Sequence, residues 1–147
     1  MNRQKDLMDL FRMYRTHSKI WATEWSRNNA DGISVSEALV LEVLGTKGAQ
    51  KASSLASELG ITTGGITGIA DKMVKAGLIR RLKDELDRRV VYLHITELGS
   101  NVLGTLDEKI LNQMERLFGM LTDSDIQELL RIYDKLIHYD QPSDNEQ

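Results

Sequence analysis

Leu55 to Arg81 reads LASELGITTGGITGIADKMVKAGLIRR. Two short helical patterns meet in it at Gly60. Ala56 lies four residues before Gly60 and is small enough to let two helices cross closely, while Gly60 can take the left-handed conformation that a tight helix–helix turn needs. Ile66 and Ile69 then recur at the spacing that anchors a second helix on the first. Alanine, glycine and two aliphatic residues at these intervals match the helix-turn-helix constraint. The spacing predicts a first helix over Ala52 to Leu59 and a second over Thr62 to Ala76, closed by Gly77.

The second of these helices has two unlike faces. At about 100° per residue, Ile66, Ile69, Ala70 and Met73 share one side, which should pack inward. Gly64, Thr67, Gly68, Asp71 and Lys75 fall opposite, with Gly65 and Lys72 to the side. Glycines inside a helix cost roughly 1 kcal/mol each relative to alanine, so something should offset Gly64, Gly65 and Gly68. The N-terminal half of a recognition helix sits deepest in the major groove, where a bare backbone can approach DNA closely. These glycines are therefore expected to make room for DNA. Close packing against a neighbouring helix is the competing explanation, and their outward position speaks against it. Thr62, Thr63 and Thr67 complete that half. Their hydroxyls suit phosphates or base edges and their methyls suit thymine methyls, while Thr62 also suits the helix N-cap. No Arg, Asn or Gln lies in the first two turns. Bidentate base contacts are therefore not expected from them, and specificity should lean on DNA shape and on the segment that follows.

That segment changes character. Leu78 to Lys83 and Val90 to Ile95 are rich in branched residues and flank the polar stretch Asp84-Glu85-Leu86-Asp87-Arg88, the pattern of a β-hairpin with a longer loop. Arg89 at the loop end can enter a minor groove, Asp87 can hold its guanidinium by paired hydrogen bonds, and Arg88 can meet a phosphate. Alone, the loop reads as an exposed turn with ion pairs of little value. Directly after a helix-turn-helix, it reads as a wing. The net charge of −3 looks wrong for a nucleic-acid binder, but its distribution matters more. Between Lys72 and Arg89, the cations Lys72, Lys75, Arg80, Arg81, Lys83, Arg88 and Arg89 outnumber Asp84, Glu85 and Asp87. Lys72 and Arg81 thus join the expected DNA-contacting set.

The rest of the chain is helical. Leu7, Phe11, Tyr14, Ser18, Trp21 and Trp25 recur over residues 3 to 28 as the stripe of one long helix, broken at Asn28-Asn29-Ala30-Asp31-Gly32. Ser34 and Glu37 have capping-box spacing at the start of a further helix, with Ala38, Leu41 and Leu44 inward and Gly45 to Gly48 ending it. Thr96 caps a fifth helix with the stripe Leu103, Leu106, Ile110, Met114, Leu117 and Leu121. Thr122 or Asp123 caps a sixth, with Ile126, Leu129, Leu130, Tyr133, Leu136 and Ile137 inward, and Gln141 to Gln147 form a polar tail. The expected architecture is mainly α with a small β-hairpin wing. A compact winged unit spans 34–96, and dimerisation helices lie in 1–33 and 97–147. One small domain could not cover all the remaining apolar stripes, so a second copy is the economical partner; a monomer folding these helices onto its own core is the alternative.

In LASELGITTGGITGIADKMVKAGLIRR, in the Asp87-Arg88-Arg89 run and in LHITELG, the chain resembles the MarR family of bacterial and archaeal regulators, along nearly its whole length. Ile95 replaces the leucine usual in the family's step into the fifth helix. The resemblance implies a homodimer. The N- and C-terminal helices would join the protomers, and two recognition helices would meet successive major grooves of double-stranded DNA at a near-palindromic operator. It also implies a repressor that a small phenolic or anionic effector releases from DNA. Met13, His17, Trp21, Trp25 and Leu41 could line such an effector's crevice, and each fits plain core as well. An activator without a ligand, or a winged-helix module that binds proteins, is the alternative.

Several classes are disfavoured. There is no cysteine, hence no disulfide, thiolate metal site or cysteine redox switch. His17, His94 and His138 stand apart, so no metal site is expected. The glycines are not followed by Gly-Lys-Ser/Thr, no nucleophile elbow appears, and no catalytic residues or cofactor are expected. No apolar run approaches membrane-spanning length and no signal-peptide core is present, so a cytoplasmic protein is expected.

Overall fold

The computed structural model describes residues 1–29 and 31–139, and the expected polar tail at 141–147 lies outside them. The elements are α1 (Arg3–Arg27), α2 (Val35–Lys47), β1 (Gln50–Lys51), α3 (Ala52–Leu59), α4 (Thr63–Lys75), β2 (Ile79–Lys83), β3 (Val91–Ile95), α5 (Glu97–Phe118) and α6 (Asp123–Ile137). The fold is mostly helical with a small antiparallel sheet. Two compact units divide the chain, Met1–Gln113 and Met114–Gln147, with the boundary inside α5.

The first unit holds the main core. Val40, Leu41 and Leu44 of α2, Leu55 of α3, Ile66 and Met73 of α4, and Ile79 of β2 are all essentially sealed from solvent. The apolar stripes of the three short helices converge there, which is what makes each of them stable in spite of its length. The sheet order is β1-β3-β2, all antiparallel. Leu93 of β3 sits opposite Gln50 on one side and Arg81 on the other, and its side chain points into the core. The strand β1 was not expected. It is two residues long between Gly48 and the start of α3, too short to show any alternation.

Caps mark most of the expected helix starts. Thr96 Oγ1 accepts the Gly99 N–H at 3.1 Å and donates to the Gly77 carbonyl, joining α5 to the end of α4. Thr122 and Asp125 form a reciprocal capping box on α6. At α2 the box is only half formed. Ser34 Oγ accepts the Glu37 N–H at 3.1 Å, but the Glu37 carboxylate accepts the Ser34 hydroxyl at 3.2 Å and faces the Lys72 ammonium at 3.2 Å. Gly45 does not end α2, which runs on to Lys47 with Gly48 as its cap. A Cβ at Gly45 would lie 2.2 Å from Leu103 Cδ2, so this glycine lets α5 approach α2.

α1 is joined to the rest of its unit near its C-terminal end. Trp25 is buried and its Nε1 donates to the Ile33 carbonyl at 2.8 Å. Lys109 of α5 reaches Asn29 Oδ1 at 2.8 Å and Asp31 at 3.1 Å, and buried Gln113 donates to the Trp21 carbonyl at 3.0 Å. Further toward its start, α1 turns Leu7, Leu10, Phe11, Met13 and Tyr14 to solvent. In the second unit, Ile126, Leu130, Tyr133, Leu136 and Ile137 of α6 are likewise exposed. They were expected inward; within this unit Ile126, Leu130 and Tyr133 line an open groove with Met114 and Phe118. Among the described residues no helix is long and apolar enough to cross a membrane.

Candidate nucleic-acid interface

The turn between α3 and α4 is built as its sequence requires. Gly60 has φ +65°, the left-handed region a side chain would disfavour, and the Ile61 N–H reaches back to the Ala56 carbonyl at 2.9 Å. Thr62 is the N-cap of α4, its Oγ1 accepting the Gly65 N–H at 3.0 Å. Ile66, Ala70 and Met73 then face the core, with Ile69 packed at its edge. That fixes which side of α4 is left outside: Thr63, Gly64, Thr67, Gly68, Asp71 and Lys75 are all exposed.

The three glycines of α4 do not share one reason. A Cβ on Gly64 or Gly68 would meet nothing within 4 Å. The protein itself therefore gives no steric reason for glycine at either place. Gly65 is different, since a Cβ there would lie 2.8 Å from Ile61 Cγ2 and 3.1 Å from Thr62 Oγ1. Its missing side chain thus has a reason within the chain's own turn, beside the expected one of making room for DNA.

The hairpin of β2 and β3 carries the expected clasp. Arg89 Nε and one terminal nitrogen donate to the two Asp87 carboxylate oxygens at 3.1 and 3.2 Å, and the Arg89 backbone N–H donates to Asp87 Oδ1 at 3.1 Å. Those side-chain bonds first, and the backbone bond second, hold the Asp87 carboxyl below its ordinary pKa. The guanidinium is thereby aimed while its side chain stays 92% exposed. Arg88 beside it is exposed as well.

Two other cations form ion pairs within the fold and stay partly exposed. Arg81 of β2 pairs with Asp71 on the exposed side of α4, joining the hairpin to that helix. Sequence spacing could not reveal this pair, because the contact runs between a helix and a strand. Lys72 pairs with Glu37, whose side chain is only 6% exposed. Lys72 thus offsets a buried carboxylate while its own side chain stays 69% exposed. Leu86, near the tip of the loop, is almost wholly exposed and was not singled out from the sequence.

The five residues considered for an effector crevice do not share an environment. Leu41 is fully buried, Trp25 lies in the core, His17 and Trp21 are half-buried, and Met13 is 71% exposed. Trp21 and Trp25 stack with ring centres 6.4 Å apart. Trp25 does border an open groove of about 410 Å³ with Ala22, Ser26, Asn29, Gly32, Ser34 and Val35. Among the described residues no group of His, Cys, Asp and Glu is arranged to hold a metal ion.

A helix-turn-helix whose second helix is bare on its outer side, followed by a hairpin bearing an oriented arginine, defines a winged-helix DNA-binding protein. The MarR family model matches residues 33–91, from just before α2 to the start of β3. The chain is 31% identical over 131 residues to the uncharacterised HTH-type transcriptional regulator YpoP of Bacillus subtilis (strain 168), covering 88% of this chain and 87% of that one. It is 29% identical to YkoM of the same organism, with 87% and 84% covered. Among solved structures, a mutant MarR from E. coli complexed with operator DNA superposes with a TM-score of 0.79 at 17% identity, covering 93% of this chain and 99% of that one. Bordetella bronchiseptica BpsR, described with regulation of its DNA binding by 6-hydroxynicotinic acid, superposes with a TM-score of 0.77 at 17% identity, covering 88% and 93%. At such identities these two likenesses concern the fold. The chain belongs to the MarR family of transcriptional regulators. It is a DNA-binding transcription regulator of that family.

Proposed function

We propose that this regulator is a homodimeric repressor that binds a near-palindromic operator through two winged units, and that a small phenolic or anionic effector releases it. The observation that carries the DNA contact is the empty space over Gly64 and Gly68, on the exposed side of a helix followed by the clasped Arg89. In this reading Thr63, Gly64, Thr67 and Gly68 enter the major groove, with Thr62 at its edge. Arg89 enters the minor groove, Asp87 orients it, and Arg88 and Arg81 lie along phosphates.

A second copy is the occupant best suited to the exposed apolar side chains. The second unit has a groove of about 310 Å³ lined by Met114, Phe118, Ile126, Leu129, Leu130 and Tyr133. In the first unit α1 exposes Leu7, Leu10, Phe11 and Tyr14. Contiguous apolar surface of this kind marks an interface, and a two-fold pairing matches it to itself. The division into a winged unit at 34–96 and dimerisation helices outside it follows from this reading. The repressor role and the effector rest on family likeness, and BpsR, whose DNA binding is described as regulated by 6-hydroxynicotinic acid, is one parallel for an aromatic acid.

Retrieval of duplexes from a random pool by the purified protein, followed by fluorescence anisotropy with and without aromatic acids, tests this function. Selected duplexes should contain inverted half-sites, and affinity should fall at least about tenfold between roughly 50 and 200 mM salt. Retention of no duplex, or salt-insensitive binding, contradicts the DNA reading. An affinity that no member of the acid panel changes contradicts the effector reading.

A further inference from the structure

The outer side of α4 is unusual for a DNA-reading surface because its hydrogen-bonding capacity is turned inward. Thr67 Oγ1 donates its only proton to the Thr63 carbonyl at 2.9 Å. It has none left for an acceptor on a base edge or a phosphate. Thr62 Oγ1 accepts the Gly65 N–H as the helix cap. With the Thr67 hydroxyl held against its own helix, the methyl is the other heavy group its exposed side chain presents. Gly64 lies one turn before it and neighbours both Thr67 and Gly68, and neither glycine has any atom within 4 Å of where a Cβ would stand. Residues three and four apart are neighbours on a helix surface, so the three positions form one patch centred on Gly64: a methyl on one side and bare backbone in the middle and on the other.

Such a patch is apolar and recessed. Of the groups in the major groove, guanine N7 and O6, adenine N7 and thymine O4 ask for a donor, which Thr67 so bonded does not offer, while adenine N6 and cytosine N4 ask for an acceptor, a contact that Thr67→Val would abolish. The thymine C5-methyl asks only for a hollow and an apolar contact. We infer that α4 selects its half-site by seating thymine C5-methyl groups in the hollow formed by Gly64, Gly68 and the Thr67 methyl. Thr67 is then a specificity residue through its methyl and not through its hydroxyl. This rests on the DNA-binding reading and names what that surface recognises. Burying one methyl is worth about a fourfold change in affinity.

The test uses a duplex retrieved from the random pool, resynthesised with deoxyuridine replacing thymidine at one half-site position at a time. Deoxyuridine pairs like thymidine and lacks the C5-methyl. Wild-type protein should lose about fourfold in affinity for each contacted methyl removed. Thr67→Val, which keeps a methyl in place and removes the hydroxyl, should bind and discriminate as the wild type does. Thr67→Ser, which keeps the hydroxyl and removes the methyl, should bind the thymidine duplex as weakly as the wild type binds the deoxyuridine one, with no further loss on deoxyuridine. Wild-type binding indifferent to every substitution overturns the inference while leaving DNA binding intact. So does loss of discrimination in Thr67→Val with retention in Thr67→Ser. Retrieval of no duplex at all overturns both this inference and the reading beneath it. Thr67 is exposed, so both variants should keep the wild-type melting temperature, which circular dichroism verifies.

Discussion

Gly64 and Gly68 are the residues at which stability and function part company. Both lie inside a helix, both are exposed, and a methyl group at either would touch nothing. Alanine should therefore stabilise α4 by roughly 1 kcal/mol at each position, a rise in melting temperature of about 3–4 °C for a chain of this size. The same methyl would stand where the DNA backbone or base edges should come. Gly68→Ala is accordingly expected to melt higher by calorimetry and to bind its duplex at least about tenfold more weakly. A higher melting temperature with undiminished affinity would remove that face from the DNA. The outward placement of these glycines was legible from helical spacing alone. The separate role of Gly65 was not, because it depends on where the Ile61 side chain and the Thr62 hydroxyl come to rest across the turn.

Asp87 belongs to the same scale. Its carboxyl is held below the ordinary value by Arg89, so the sign is that of a depressed acid. The clasp is fully formed above the ordinary carboxylate pKa and is lost only as pH falls through the lowered one. Binding that depends on the oriented arginine should thus be level from about pH 5 to 8 as far as this pair is concerned. Nitrogen-15 NMR of the Arg89 Nε should show its shift unchanged across that range and moving only under more acidic conditions. A transition near neutral pH would mean that another group controls the wing.

Among the elements, the hairpin and α4 act as one piece. The Asp71–Arg81 pair spans them on the exposed side, while Leu93 and Ile79 pin the sheet beneath. Arg89→Ala should reduce DNA affinity at least about tenfold by anisotropy with no change in melting temperature or in oligomeric state. Asp87→Asn should lose less, because the charge remains and only its orientation is relaxed. Equal affinity for wild type and Arg89→Ala would take the hairpin out of the interface. Helix-period patterns and caps made α1 to α6 legible, as the observed N-caps at Ser34, Thr62 and Thr122 bear out. β1 was not legible, since two residues carry no period and only pairing with β3 defines them as a strand. The pairing of Lys72 was not legible for a related reason. Its partner Glu37 lies on another helix, and no sequence interval connects them.

For the whole molecule, α1 and α6 each expose an apolar stripe. Leu130, Tyr133, Leu136 and Ile137 are exposed, and a second copy presenting the same residues is the occupant proposed above. Leu136→Asp should barely disturb the fold of one chain, because the residue is 59% exposed. It should convert a dimer into a monomer by light scattering and weaken DNA binding with it, since each protomer would then bind alone. A wild type that is already monomeric at micromolar concentration would contradict the pairing.

The central claim is that two copies of the same surface, the bare side of α4 and the clasped Arg89, meet DNA together. Hydroxyl-radical footprinting of the wild-type protein on a retrieved duplex measures this most directly. The account predicts two equivalent protected windows, related by a dyad and centred about one helical turn apart, each flanked by minor-groove protection that disappears with Arg89→Ala. A single window, or a footprint unchanged by that substitution, would contradict it.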